Sequence, residues 1–421
     1  MSKKIAILGA GISGQAARRL AASLGHEVSL FDQDGRGDSD VFTASQLETF
    51  DTVVVSPGFG LEHPWRQIAV KSDKACFGEL GFAARHWKGK IIAVTGTNGK
   101  STLTKFLTQS LQAAGHQAVA TGNIGYPLSD AVLSDENTPK SYAVCEISSF
   151  QAEMPFGLEL DALLWTNFAE DHLDRYESMS DYFYAKARLF DCLAPDAVCV
   201  LSPQVSYWMN LMNTDFNACS VAYEDPSLIQ QLKPSSPFKG FPQTENICLA
   251  AELWWLLDLP IEALIETANN FELSAHRLKR EATWNGVNFW NDSKATNFHA
   301  TLAAINAVPA PIHWIGGGRV KGGDVELFAK EMSSHITAAY VYGEVGRRLA
   351  AELEKWLKKV VVCDRFEDAV LAASKGAVDD ISANVLLSPG FSSFDQFSSY
   401  EERGKCFIDT VLSLNGAQAT V

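Results

Sequence analysis

The chain has 421 residues, 47% of them hydrophobic, and a formal net charge of −15, a length for roughly two to four domains with packed cores. The acidic balance argues against a general nucleic-acid or anionic-membrane surface, while leaving room for local phosphate sites. No run of apolar residues is long enough to span a bilayer, and Met1-Ser2-Lys3-Lys4 leads straight into a strand pattern, so no signal peptide is expected.

The first ~90 residues alternate strand and helix patterns. Lys4–Leu8 reads as a strand, Gly9-Ala10-Gly11-Ile12-Ser13-Gly14 as a G-x-G-x-x-G turn, and a helix runs on to Leu24 with Gly25 at its C-cap. His26–Phe31 is a second strand ending at Asp32, and Thr52–Val55 a third, ending in Ser56-Pro57-Gly58. This is a Rossmann-like βαβ start. Its turn suits a dinucleotide, with Asp32 on a ribose hydroxyl, but equally any nucleoside diphosphate at a helix N-terminus.

A second α/β pattern opens at Ile91. Four apolar residues, Ile91–Val94, lead into Thr95-Gly96-Thr97-Asn98-Gly99-Lys100-Ser101-Thr102 and then a helical run through Leu103, Phe106, Leu107 and Leu111. A strand, a glycine turn and a helix N-terminus in this order cradle a phosphate. Lys100 can reach terminal phosphates and Ser101 can ligate Mg²⁺. The turn is tighter than G-x-x-x-x-G-K-[ST], with only Thr97 and Asn98 between the glycines. Further strands end at Glu146 and at Thr166-Asn167. A carboxylate at a strand end beside a phosphate loop is a natural Mg²⁺ ligand. His172 follows in the acidic loop Glu170–Arg175, where a metal or phosphate role and a surface role are both open. The next helix holds Tyr182, Lys186 and Arg188, and its pattern alone makes Lys186 a solvated lysine. Residues 230–244, rich in Pro, Ser and Lys, read as a loop before helices through Leu256 and Ile265.

A third unit begins near His276-Arg277, with strands at Val287–Trp290, Ile312–Ile315, Ala339–Tyr342, Val360–Cys363 and Val385–Leu387. Asn291-Asp292-Ser293-Lys294-Ala295-Thr296-Asn297 is more polar than helix capping requires. Gly316–Asp324 holds five glycines around Lys321, so its backbone must bend sharply or approach a ligand. The eight cysteines form no C-x-x-C pair, so free thiols in a reducing compartment are expected. The expected fold is α/β, with three consecutive domains: a Rossmann-like 1–90, a central P-loop ATPase-like 91–274 with a mainly parallel sheet, and a Rossmann-like 275–421.

Taken together, the phosphate loop, Gly122-Asn123-Ile124-Gly125, Glu146–Gln151, Asp171–Arg175, Asn291–Asn297 and Leu386–Pro389 resemble the Mur ligase family over nearly the whole chain. Asn291–Asn297 and Ser56-Pro57-Gly58 point to the member that adds D-glutamate. The resemblance implies an ATP-dependent amide ligase of peptidoglycan precursor synthesis, cytoplasmic and monomeric, with no nucleic-acid or membrane partner. Its small-molecule substrates would be UDP-N-acetylmuramoyl-L-alanine and D-glutamate. Ile12, Ser13, Asp32, Ser56, Gly58, Asn123, Ser148 and Gln151 would hold the UDP substrate. Gly96–Thr102, Asn246, Arg277 and Asp292 would hold ATP. Ser101, Glu146, His172 and a CO₂-derived carbamate on Lys186 would bind two Mg²⁺ ions, and Thr296, Lys321, Ser393, Phe394 and Tyr400 would take D-glutamate. Lys100, His172, Lys186 and Lys294 would be catalytic. The stretch Gly240–Asn246 departs from the family's Gly-x-His-Asn-x-x-Asn pattern by carrying Pro242-Gln243. An NAD-linked oxidoreductase would leave Lys100, Glu146 and Lys294 unexplained, and a regulatory P-loop ATPase would leave the first domain unexplained.

Overall fold

The computed structural model describes residues 2–214, 219–414 and 416–420. The first sheet consists of β1 (Lys4–Leu8), β2 (Glu27–Phe31), β3 (Thr52–Val55) and β4 (Ala75–Gly78), all parallel, in the order β2-β1-β3-β4. The second comprises β5 (Lys90–Thr95), β6 (Ala118–Gly122), β7 (Tyr142–Glu146), β8 (Leu160–Trp165), β9 (Leu193–Leu201) and β10 (Cys219–Val221). It is also parallel, in the order β10-β9-β8-β5-β7-β6. Runs such as Val53–Val55 and Ile91–Val94 are unbroken because helices cover both sheet faces, so every side chain is buried.

The third sheet comprises β11 (Lys279–Trp284), β12 (Val287–Asn291), β13 (Ile312–Gly317), β14 (Ala338–Tyr342), β15 (Val360–Cys363), β16 (Asn384–Gly390) and β17 (Gln418–Ala419). Their order is β15-β14-β13-β16-β12-β11-β17, and β11 runs antiparallel to both its neighbours. Trp314, Phe328, Met332, Leu349 and Leu353 belong to one of its core clusters, and Phe289, Tyr340, Phe366, Val370 and Phe407 to another.

The chain divides into two compact units. One holds residues 1–168, 178–239 and 243–271, hence the first two sheets; the other holds 169–177, 240–242 and 272–421. Within the first unit the two sheets are tied by a buried ion pair, Arg66 to Glu153 at 2.5 Å, and by the Glu79 carboxylate accepting Ser129 N–H at 2.7 Å. Arg19 grips Asp130 through Nε at 2.9 Å and a second nitrogen at 2.7 Å.

In each sheet the chain leaves two adjacent strands toward opposite edges: β1 and β3, β5 and β8, β13 and β16. A crevice opens at the carboxyl ends of such a strand pair. The glycine turns predicted from sequence follow β1, β5 and β13.

Candidate active site

The tight turn after β5 is held from below by the end of β8. Thr97 N–H donates to Asn167 O at 3.0 Å and Asn98 N–H to Asn167 Oδ1 at 2.8 Å, while Thr166 Oγ1 and Asn167 Nδ2 donate to Asn98 O. Gly96 has φ 140°, and a Cβ there would lie 2.0 Å from Thr166 Oγ1. Only glycine permits this approach. Gly99, at φ 84°, is the N-cap of the helix Lys100–Ala113. Lys100 Nζ donates to Gly96 O at 2.9 Å and Thr97 O at 2.8 Å, folding the cation over the turn. Ser101 and Thr102 are buried in the first helical turn. Asn246 closes the far side: its Oδ1 would lie 3.0 Å from a Cβ on Gly99, and its Nδ2 donates to Gln243 Oε1 at 2.7 Å.

Glu146 ends β7 beside this turn, in register with Val94 of β5. It is 2% exposed. Oε1 accepts Asn123 Nδ2 at 2.9 Å, whereas Oε2 is buried with no hydrogen-bond partner among the described residues. A buried carboxylate oxygen without a donor is costly unless a cation meets it. That orphaned oxygen and the nearby helix N-terminus with Ser101 fit a Mg²⁺ ion on a phosphate.

Lys186 corrects the expectation from its helix pattern. It is 1% exposed, donates from Nζ to Gly96 O at 2.9 Å, and lies 4.9 Å from the Tyr182 ring centre. The helix Met179–Ala187 turns Tyr182, Phe183 and Lys186 inward together. A lysine this deep, against the phosphate turn, is not a solubilising side chain.

In the first sheet Asp32 is fully engaged. Oδ2 accepts Ala10 N–H at 2.7 Å, and Oδ1 accepts Asp34 N–H and Arg36 Nε at 3.1 Å each. The Ala10 bond chiefly holds its carboxyl below the usual range, with Arg36 adding to this. Asp32 therefore shapes the glycine turn. Ile12, at the first helical position, is 78% exposed, a large apolar side chain left open at the turn. Ser56 Oγ donates to Gly9 O at 3.2 Å. Ser148 and Gln151 cap each other's backbone in a reciprocal box. Ser56 and Gln151 share a cleft with Arg66, Glu79 and Met154, about 320 Å³ counted out to solvent.

In the second unit a cleft of about 330 Å³, counted the same way, is lined by Glu170, Asp171, Leu173, Thr296, Asn297, Lys321 and the Gly322–Gly323 backbone, among others. Lys321 Nζ donates to Thr296 Oγ1 at 3.3 Å. Burial raises the Glu170 carboxyl, helped by Asp324 and Asp171. Lys294, Ser393, Phe394 and Tyr400 do not line this cleft. Lys294 Nζ sits 5.0 Å from the Tyr400 ring centre, Ser393 is buried and Phe394 is 61% exposed. Asp292 accepts Ser388 Oγ at 2.9 Å and Leu278 N–H at 3.1 Å, and burial raises its carboxyl to about 7 against these donors and the charges of Arg277 and Arg403. His172 has φ 57° and its ring lies 3.8 Å from Asp171. No group of three His, Cys, Asp or Glu among the described residues forms a metal cluster by itself.

Sequence reasoning missed Asn167 and Arg403 as site residues and took Asp171 only as part of the acidic loop and motif Asp171–Arg175. Arg403 is wholly buried and donates to Ser293 Oγ, Ser293 O and Phe391 O, shaping the Asn291–Asn297 run from 110 residues away. Only the strand-end position of Thr166-Asn167 gave a usable signal.

Comparison with known proteins agrees with this geometry. Residues 94–234 match the Mur ligase middle domain and 276–390 the Mur ligase glutamate ligase domain. The chain is 30% identical to the UDP-N-acetylmuramoylalanine–D-glutamate ligase of Lachnospira eligens, covering 98% of this chain and 99% of that one. The enzyme of the same name from Aquifex aeolicus is 32% identical, with 97% and 98% covered. Among solved structures, the fold is shared with the UDP-N-acetylmuramate-alanine ligase MurC of Thermotoga maritima at TM-score 0.58 and 16% identity, covering 98% of this chain and 99% of that one. It is shared too with the MurF ligase of Thermotoga maritima in complex with ADP, at TM-score 0.59 and 14% identity, covering 97% and 95%. With such identity over almost its full length, the chain belongs to the Mur ligase family.

Proposed function

We propose that this chain is an ATP-dependent ligase that joins D-glutamate to UDP-N-acetylmuramoyl-L-alanine. The observation that carries the reading is the turn Gly96–Ser101, with Lys100, Lys186 and the orphaned Glu146 oxygen gathered on it, in a chain whose near-full-length relatives bear that activity in their names. The peptide carboxylate attacks the terminal phosphoryl group of ATP, and ADP leaves. The amine of D-glutamate then attacks the acyl phosphate and inorganic phosphate departs. Lys100 and the N-terminus of Lys100–Ala113 stabilise charge on the transferring phosphoryl group. Asn246, Arg277 and Asp292 serve the nucleotide. Ser101, Glu146, His172 and a carbamate on Lys186 would be the ligands of Mg²⁺, which would neutralise phosphate charge.

The division into domains 1–90, 91–274 and 275–421 is part of the same reading; the three sheets support it, although β5 begins at Lys90 and residues 169–177 and 240–242 group with the third sheet. Ile12, Ser13, Asp32, Ser56, Gly58, Asn123, Ser148 and Gln151 serve the UDP substrate, the last two through the cap they share. Thr296 and Lys321 form the D-glutamate end, and Lys294, Ser393, Phe394 and Tyr400 are assigned to the same substrate although they do not line that cleft. A cytoplasmic monomer acting on small molecules fits this reading; no helix among the described residues is long and apolar enough to cross a membrane.

Phosphate release should require the UDP substrate, Mg-ATP and D-glutamate together. Equal turnover with L-glutamate, or none with the D-isomer, would sink the assignment. Asp32→Ala frees the Ala10 N–H and loosens the first glycine turn. Titration calorimetry should then show weaker binding of the UDP substrate with ATP binding unchanged; tightly bound NAD in the purified protein would contradict the reading.

A further inference from the structure

Asn297 uses the two ends of its amide on different partners. Oδ1 accepts Ala300 N–H at 2.9 Å and so caps the helix Phe298–Ala307, while Nδ2 donates to Asp171 Oδ2 at 3.0 Å. Asp171 is itself divided. Its Oδ1 accepts His172 N–H at 2.9 Å, and its side chain is 9% exposed. His172 has the left-handed backbone of a turn, and Arg175 and Tyr176 N–H both donate to its carbonyl. The 169–177 loop also lies on bare backbone. A Cβ on Gly322 would be 3.1 Å from Leu173 Cβ, and one on Gly323 would be 3.0 Å from Glu170 Oε1. Both glycines have positive φ, 107° and 95°. Thr296, whose hydroxyl accepts Lys321 Nζ, is the immediate neighbour of Asn297.

We propose that Asn297 is a positioning residue. Its amide donor latches the His172 loop onto the turn that carries Thr296, so the amino-acid cleft and His172 share one frame. Local pairing cannot supply this. The loop between Phe168 and Ser178 has no strand or α-helix of its own, and a loop without a ladder is ordered by its side-chain bonds. The kinetic consequence rests on the reading of the cleft as the D-glutamate site; the latch itself does not.

The test separates cap from latch. Asn297→Asp keeps a good helix N-cap but removes the donor and sets two carboxylates face to face. Asn297→Ser also keeps a cap, without the repulsion and without the reach. The double variant Asp171→Asn with Asn297→Asp rebuilds the pair with donor and acceptor exchanged. Hydrogen–deuterium exchange of residues 169–177 in ligand-free protein is the first readout, with trypsin cleavage after Arg175 beside it. Both single variants at Asn297 should speed exchange by roughly ten- to a hundredfold, the scale of one charge-assisted hydrogen bond. The double variant should return it to within about twofold of the parent. In steady state the KM for D-glutamate and the Mg²⁺ midpoint should rise in the single variants, with the KM of the UDP substrate fixed, and recover in the double. Unchanged exchange in Asn297→Asp, or no recovery in the double, overturns the latch. Faster exchange with neither constant altered overturns the positioning role. Failure of the functional reading would look different: the parent enzyme itself would show no D-glutamate-dependent turnover.

Discussion

Replacing Lys186 with alanine should abolish ligation while leaving the protein folded. Lys186 Nζ sits under the phosphate turn, wholly buried, with Gly96 O as an acceptor. A structural lysine here would be expensive, because an ammonium must be stripped of its water on burial. The Gly96 carbonyl does not depend on it, since Lys100 Nζ also donates to Gly96 O. Lys186→Met, which keeps the stem volume, should therefore leave the melting temperature unchanged or raised. Its kcat should still fall by roughly 10²–10³-fold, as when a group stabilising transition-state charge is removed. The carbamate reading adds a sharper expectation. Short carboxylates such as formate or acetate should partly restore Lys186→Ala by filling the vacated space with a carboxylate, and should do nothing for Lys100→Ala. A fully active Lys186→Ala, or a variant that fails because it unfolds, would return Lys186 to a structural role.

This residue also marks where the sequence stops being legible. The phosphate turn could be read because its parts are contiguous: apolar strand, two glycines, Lys-Ser-Thr and a helical stripe. Val53–Val55 and Ile91–Val94 announced buried parallel strands for the same reason. Lys186 could not be read so. Tyr182, Phe183 and Tyr184 are consecutive, and Tyr184 is exposed while its two neighbours are buried, so the inner face of the helix is blurred. Ser148 and Gln151 were reached through the family resemblance alone, because their mutual bonds are local capping while the cleft that Gln151 lines is tertiary. The most opaque features are pairings across long separations. Asn297 with Asp171 spans 126 residues, and Arg403 with Ser293 spans 110. Neither leaves a periodic trace, and a buried arginine on an otherwise amphipathic helix looks like a surface one. The short strands β4 and β6 were missed because brief apolar runs are ambiguous between helix and strand, and β11, Lys-Arg-Glu-Ala-Thr-Trp, because it has no apolar run at all.

The second large effect is expected at Lys321. D-Glutamate carries two carboxylates, and each needs a partner when water is excluded. In the cleft of the second unit Lys321 is the lysine among the lining residues, reaching Thr296 Oγ1 at 3.3 Å, while Glu170 and Asp171 set the opposite sign nearby. That arrangement suits a zwitterion: a carboxylate toward Lys321 and an ammonium toward the acids. Burial chiefly raises the Glu170 carboxyl, and the negative charges of Asp324 and Asp171 add to it, a crowding that a bound ammonium would relieve. Lys321→Ala should raise the KM for D-glutamate roughly ten- to a hundredfold, from the loss of about 1.5–3 kcal/mol in one charge-assisted hydrogen bond. The KM for ATP should move little, since Lys321 lines the amino-acid cleft and bonds Thr296. Lys321→Arg keeps the charge but not the point geometry and should fall between the two. Measuring both constants in both variants decides the matter. If the ATP value shifts as far as the glutamate value, Lys321 serves the nucleotide, and the amino-acid pocket must instead be built from Lys294, Ser393 and Tyr400.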